Sequence, residues 1–126
     1  MKAIYVRDTR AVKYAEAIAK AYKPLETRAR DMLGKLVGER VAIIRTGAGK
    51  QPVVVGFATI ASKRWVKVGK EWEDLRTLHL IPPGSRYDCH SKGKWCYLMT
   101  GAEPCEPFPV PASRVNHGRA WCEFEI

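Results

Sequence analysis

The sequence has no long hydrophobic run, which argues against a membrane-spanning helix. Its apolar stretches are well short of the roughly 20 residues that such a helix needs. Near the N-terminus the apolar residues 3–6 are followed at once by Arg7, so no secretory signal segment is expected. We therefore expect a cytoplasmic protein that has no membrane partner.

The cysteines are poorly spaced for metal binding. The four cysteines are Cys89, Cys96, Cys105 and Cys122, and none is separated from another by the short spacing typical of zinc ligands. Cytoplasmic proteins also seldom form disulfides. We expect no metal, no cofactor and no disulfide, and the roles of the four thiols stay open.

Familiar catalytic and nucleotide-binding motifs are absent as well. Residues 47–50 read Gly-Ala-Gly-Lys, but Gln51 and an apparent strand follow where a phosphate-binding loop needs Ser or Thr and a helix. No nucleophile elbow is present, and the histidines are scattered. His79, His90 and His117 are each expected to have a structural or surface role.

What the chain does have is the composition of one folded domain. Its 126 residues are 46% hydrophobic and 28% charged, which is typical of a globular protein. No repeat, low-complexity tract or linker divides the chain. We expect a single domain over residues 1–126.

Positive charge is concentrated in the first part of the chain. The formal net charge is +9, and residues 1–70 hold 16 basic and 5 acidic side chains, against 6 and 8 in residues 71–126. A basic surface of this kind attracts polyanions and releases counterions when it binds them. Nucleic acid is therefore the first class of partner to consider.

The hydrophobic pattern indicates a mixed α/β fold. Residues 11–22 have helical spacing and end before Pro24, and residues 70–79 suggest a second helix. Strands or extended segments are expected at 3–6, 23–28, 40–45, 53–61, 94–99 and 119–126, with a helical turn at 31–36 and a proline-rich loop at 103–113. The sum is an α+β domain with about five or six mostly antiparallel strands, curled into a small sheet or barrel, and two principal helices.

The most informative segment is residues 23–28, Lys-Pro-Leu-Glu-Thr-Arg. In an extended chain Glu26 and Arg28 share one face, while Leu25 and Thr27 share the other. A surface ion-pair cluster would explain these charges without any function. The segment follows a helix and precedes a glycine-led turn into the strand at 40–45, and this context is distinctive.

In this order of elements and in the motif Lys23-x-Leu-Glu26-x-Arg28, the chain resembles the ASCH domains of the PUA-like superfamily. The resemblance covers residues 2–62 well and the remainder only in its succession of elements. It implies a PUA-like β-barrel with flanking helices and a module that binds RNA or handles nucleotides. It also implies that Lys23, Glu26 and Arg28 lie in a cleft.

Further contacts are predicted from residue type. Lys23 and Arg28 would contact phosphate or a carbonyl oxygen, and Glu26 would orient Arg28 or accept from a base amino group. Other basic candidates for nucleic-acid binding are Arg45, Lys63, Arg64 and Arg119. Candidates for base stacking are Tyr87, Trp95 and Trp121.

Three functions stay open at this point. The first is RNA or nucleotide binding. The second is hydrolysis of a modified nucleoside or of RNA, with Lys23 and Glu26 as candidate catalytic residues. Family members of the amidohydrolase type have a Thr three residues after the motif Lys, where this chain has Glu26, and that departure weakens the second reading. The third is a protein-interaction domain for an acidic partner.

Overall fold

A computed structural model describes residues 1–47, 49–118 and 120–125. The described residues form an α+β fold with one mixed sheet and short helices. The strands are β1 (Lys2–Arg7), β2 (Leu25–Arg28), β3 (Arg40–Thr46), β4 (Val53–Lys67), β5 (Gly93–Pro109), β6 (Val115–His117) and β7 (Trp121–Glu123). The helices are α1 (Tyr14–Ala19), α2 (Lys70–Asp74) and α3 (Arg76–His79), and a 3₁₀ turn covers Gly34–Leu36.

The sheet contains seven strands in the order β2-β5-β4-β3-β1-β7-β6. β1 pairs with β3 in parallel, and the other pairs are antiparallel. The prediction of a mixed, mostly antiparallel sheet is confirmed, but the strand count of five or six was too low because β6 was not recognised. β2 and β6 form the two ends of the strand order, so the predicted closure into a barrel is not confirmed for the described residues.

β4 and β5 form a long antiparallel ribbon that the sequence did not predict. The segment at 103–113 was expected to be a loop, yet β5 continues through it to Pro109. β2 pairs only with residues 95–98 of β5, so the later part of β5 has no strand on that side. A proline, which cannot donate a backbone hydrogen bond, is tolerated on such an edge. Register shifts along β4 also accommodate the irregular pairing.

Helix α1 is shorter than predicted and packs closely on the sheet. In its first turn, the backbone N–H of Ala15 donates to Asp8 Oδ1 at 3.0 Å. The helix ends at Ala19, and Ala21 has a left-handed φ of 64°. At Gly56 an added Cβ would lie 2.6 Å from the Ala19 Cβ atom, so this glycine permits the close contact between α1 and β4.

Two groups of apolar residues form the core on the two faces of β1 and β3. Ile4 and Ile43 belong to the larger group, which is covered by α1. Ala3, Ala42 and Cys122 belong to the smaller one. In the predicted last strand at 119–126, the alternate residues Ala120, Cys122 and Phe124 are buried; Ile126 lies outside the described residues. No helix in the described part of the chain is long and apolar enough to cross a bilayer.

Candidate functional site

A cavity of about 410 Å³ lies where the edge strand β2 faces β1 across a gap in the curled sheet. Its walls come from β1, α1, β2, the end of β3, the loop after α3 and the start of β5. The lining residues are Tyr5, Val6, Arg7, Tyr14, Lys23, Glu26, Thr27, Arg28, Ala29, Thr46, Ile81, Tyr87 and Lys94. All three residues of the motif at 23–28 therefore line one cavity, which falls within the usual size range for a small-molecule pocket.

Lys23 lies at the base of this cavity with its ammonium group fully engaged. Its side chain is 1% exposed, and Nζ donates to the backbone oxygens of Leu25 at 2.8 Å and His79 at 2.5 Å. The third neighbour is Glu26 Oε1 at 3.6 Å, and the Tyr14 ring centroid lies 5.1 Å away. Burial lowers the pKa of Lys23, while the Glu26 carboxylate opposes that shift.

Glu26 is a buried carboxylate held from several sides. Oε1 accepts from the backbone N–H of Thr27 at 3.0 Å, and Oε2 accepts from Arg28 Nη2 at 3.0 Å. Burial by itself would raise the pKa of Glu26, but the charges of Arg28 and Lys23 and the Thr27 N–H outweigh it. The pKa of Glu26 is held below its ordinary value, so the group is ionised at neutral pH.

Arg28 connects the two sides of the gap. Its Nη2 also donates to the backbone oxygen of Tyr5 on β1 at 2.7 Å, although β1 and β2 are not neighbours in the sheet. A side-chain hydrogen bond thus spans the gap that main-chain pairing leaves open. The side chain is 16% exposed, and only Nη2 is used in these hydrogen bonds. Its other N–H groups make no hydrogen bond within the described residues and can donate to a molecule in the cavity.

Of the three stacking candidates, Tyr87 lines the cavity. Its ring meets Tyr14 edge to face, with centroids 6.2 Å apart, and the Arg86 guanidinium lies 5.4 Å from the Tyr87 ring centroid. Trp95 packs edge to face on Trp65 at 5.7 Å.

The other predicted contacts that fall within the described residues lie away from the cavity. Trp121 stacks on His117, with ring centroids 4.2 Å apart. Lys63 pairs with Asp31 and Arg64 with Glu71, so both cations already have carboxylate partners. Arg45 borders a second hollow beside α1, and Arg119 lies outside the described residues.

Several lining residues were missed by the sequence analysis. Arg7 and Lys94 stand at the cavity without a carboxylate within 4.0 Å in the described part of the chain. Arg7 directly follows a predicted strand, and a basic residue at a strand end can be recognised from sequence as a binding candidate. No sequence pattern near Lys94 indicates that it lies close to β1. Thr27 was expected to face away from Glu26, but it also lines the cavity.

Comparisons with known proteins support the fold. No family model matches the chain, and no curated protein sequence is significantly similar to it. A crystal structure of an ASCH protein from Zymomonas mobilis is 19% identical, covers 85% of this chain and 73% of its own, and has a TM-score of 0.68. A single-substitution variant of that protein is 18% identical, covers 94% and 84%, and has a TM-score of 0.72. A second variant is 20% identical, covers 87% and 77%, and has a TM-score of 0.67.

These structures confirm the resemblance to ASCH domains at the level of the fold. They cover most of the chain, including the part beyond residue 62 where the sequence resemblance was weak. At this identity the likeness concerns the fold alone, so function has to be argued from the cavity.

Proposed function

We propose that the protein binds single-stranded RNA and receives one nucleotide in the cavity between β1 and β2. The observation that supports the proposal is the charge of the cavity lining. Four cations, those of Arg7, Lys23, Arg28 and Lys94, line the cavity together with one carboxylate, that of Glu26. Excess positive charge in a concave site attracts a phosphate group. The resemblance to ASCH domains adds support for RNA as the partner.

The polar groups in the cavity suit a nucleobase. The N–H groups of Arg28 that are not engaged can donate to a base carbonyl or ring nitrogen. Each oxygen of Glu26 accepts one hydrogen bond, and a carboxylate oxygen has room for another, so an exocyclic amino group can donate to it. Tyr87 supplies an aromatic ring against which the base can pack.

The geometry favours binding over hydrolysis. Lys23 Nζ donates to two buried backbone oxygens and lies 3.6 Å from the Glu26 carboxylate, so it is poorly placed to stabilise an oxyanion. Glu26 is tightly hydrogen-bonded, and a carboxylate with a lowered pKa is a weak general base. We therefore assign both groups to holding Arg28 and the cavity in shape.

The experiment is fluorescence anisotropy with a labelled single-stranded RNA of about ten nucleotides. Wild type is compared with Arg7→Ala/Lys94→Ala, which removes two cations from the cavity. The matched control is Lys35→Ala/Lys70→Ala, which removes the same charge from exposed positions that do not line the cavity. Salt is varied from about 50 to 200 mM.

We expect the cavity variant to bind about tenfold more weakly, and the slope of log K against log salt to fall by about 1.4 for two lost phosphate contacts on a single strand. The control should stay close to wild type. Equal losses in both variants would mean diffuse attraction by net charge, and the proposal would fail. It would also fail if an acidic peptide of equal charge bound and the RNA did not.

A further inference from the structure

A second hollow of about 290 Å³ lies on the other side of α1 and has its own basic lining. It is bounded by α1, the end of β3, the β3–β4 turn and the middle of β5. Its charged lining residues are Asp8, Lys13, Glu16, Lys20, Arg45 and Lys50. We call it the α1 groove.

Part of this charge is neutralised within the protein. Lys20 pairs with Glu16 at 2.5 Å, and the Asp8 carboxylate accepts a hydrogen bond from Ala15 N. Lys13, Arg45 and Lys50 have no ion-pair partner among the described residues. The α1 groove therefore contains three cations that form no ion pair with a carboxylate of the described residues.

Arg45 provides an independent indication of a ligand. Its Nε is buried and has no hydrogen-bond partner among residues 1–47, 49–118 and 120–125, and its Nη2 makes one long contact of 3.4 Å to the Gln51 backbone oxygen. A buried donor without an acceptor is unfavourable, because it has lost its hydrogen bond to water and gained none in return. A phosphate oxygen in the α1 groove would supply that acceptor.

The α1 groove and the cavity meet at the carboxyl ends of β1 and β3. Arg7 lines the cavity and Asp8, the next residue, lines the groove. On β3 the same holds for Thr46 and Arg45, and Arg7 is the register partner of Thr46. An RNA strand that leaves the cavity past Arg7 therefore comes next to the α1 groove.

We propose that the α1 groove binds backbone phosphates of the same RNA strand whose nucleotide occupies the cavity. This inference rests on the proposed function. The lining of the groove has cations but, among the described residues, no aromatic ring, so it suits phosphates rather than stacked bases. RNA that spans both hollows binds more tightly than RNA that fills the cavity alone.

The test compares two lengths of RNA, about three and about twelve nucleotides; the shorter places one nucleotide in the cavity and is too short to run along the α1 groove as well. The groove variant is Lys13→Ala/Lys50→Ala, because both side chains are exposed and their loss leaves the core intact. The cavity variant Arg7→Ala/Lys94→Ala and the control Lys35→Ala/Lys70→Ala are measured alongside it. NMR titration reports on the trimer and fluorescence anisotropy on the longer strand, and thermal unfolding checks that each variant is folded.

We expect the groove variant to bind the longer RNA about tenfold more weakly, with a salt slope lower by about 1.4. It should bind the trimer as wild type does, whereas the cavity variant should lose affinity for both. If the groove variant matches the control on the longer RNA, the inference is overturned while the cavity function stands. It is also overturned if the groove variant weakens both lengths equally, or if a glutamate-rich peptide binds to the groove and RNA does not. If neither RNA binds to wild type, the proposed function fails as well.

Discussion

At the scale of single residues, Lys23 shows how a buried cation is made tolerable. Removing an ammonium group from water is strongly unfavourable unless other groups replace the lost hydration. Here two backbone oxygens and the Glu26 carboxylate surround Nζ, and the Tyr14 ring lies beside it. The carbonyl of His79 comes from a distant part of the chain, so Lys23 also ties α3 to the start of β2.

Lys23→Met should therefore destabilise the protein strongly. The change keeps the length of the side chain but leaves two buried oxygens without a donor and Glu26 without one of its cations. We expect the free energy of unfolding in urea to fall by about 3 kcal/mol.

The matched control is Lys20→Met, which removes an exposed i,i+4 pair with Glu16 and should cost less than about 1 kcal/mol. If both variants lost the same small amount of stability, the buried contacts of Lys23 would not stabilise the fold. The same reasoning makes Arg7 and Lys94 better probes of binding than Lys23, because changes at those two sites leave no buried oxygen unpaired.

At the scale of elements, the contact between α1 and β4 sets one wall of both hollows. Tyr14 on α1 lines the cavity, while Glu16 lies in the α1 groove. The helix approaches β4 closely because Gly56 has no side chain, and an added Cβ would lie 2.6 Å from both the Ala19 Cβ and the Glu103 backbone oxygen. Neither contact can be relieved without moving α1 or β5.

Gly56→Ala should therefore lower the free energy of unfolding by about 1–3 kcal/mol, as in other overpacked cores. Chemical denaturation gives the value, and Thr59→Ala on the same strand is the control with an expected change of less than about 1 kcal/mol. A Gly56→Ala protein as stable as wild type would show that α1 does not need this close contact.

At the scale of the whole molecule, buried ionisable groups make stability depend on pH. His79 is fully buried and stacked on Trp72, with ring centroids 4.0 Å apart. Burial is the main cause that lowers the pKa of His79 to about 4, and the nearby cations of Lys23 and Arg76 contribute to the same shift. The unfolded chain has an ordinary histidine pKa of about 6.5, so it binds more protons than the folded protein below that pH.

The stability that His79 contributes is therefore complete above about pH 6.5 and is lost as the pH falls towards 4, by about 3 kcal/mol in total. The lowered pKa of Glu26 adds a further loss that begins below its ordinary pKa of 4.5. Urea unfolding at pH 7, 5.5 and 4.5 measures the profile. His79→Gln should flatten it between pH 6.5 and 4.5, and an unchanged slope in that variant would contradict the assignment.

Local patterns in the sequence determined much of this protein. The hydrophobic pattern alone located β1, β3, the first part of β4 and the last strand, because strands impose their spacing over a few residues. The motif of Lys23, Glu26 and Arg28 was singled out by its resemblance to ASCH domains, which needs only a short window of sequence; all three residues line one cavity in the structure.

Only the tertiary structure decided which distant residues meet. In the folded chain β5 continues past Pro104 and Pro107 to Pro109, and Arg28 on β2 reaches the backbone oxygen of Tyr5. Tyr87 and Lys94 come together in the same cavity. The tertiary structure also places Arg45 in the α1 groove rather than with the motif. These contacts follow from the curl and packing of the whole sheet, which depend on pairings between distant segments, and no short window of sequence contains them.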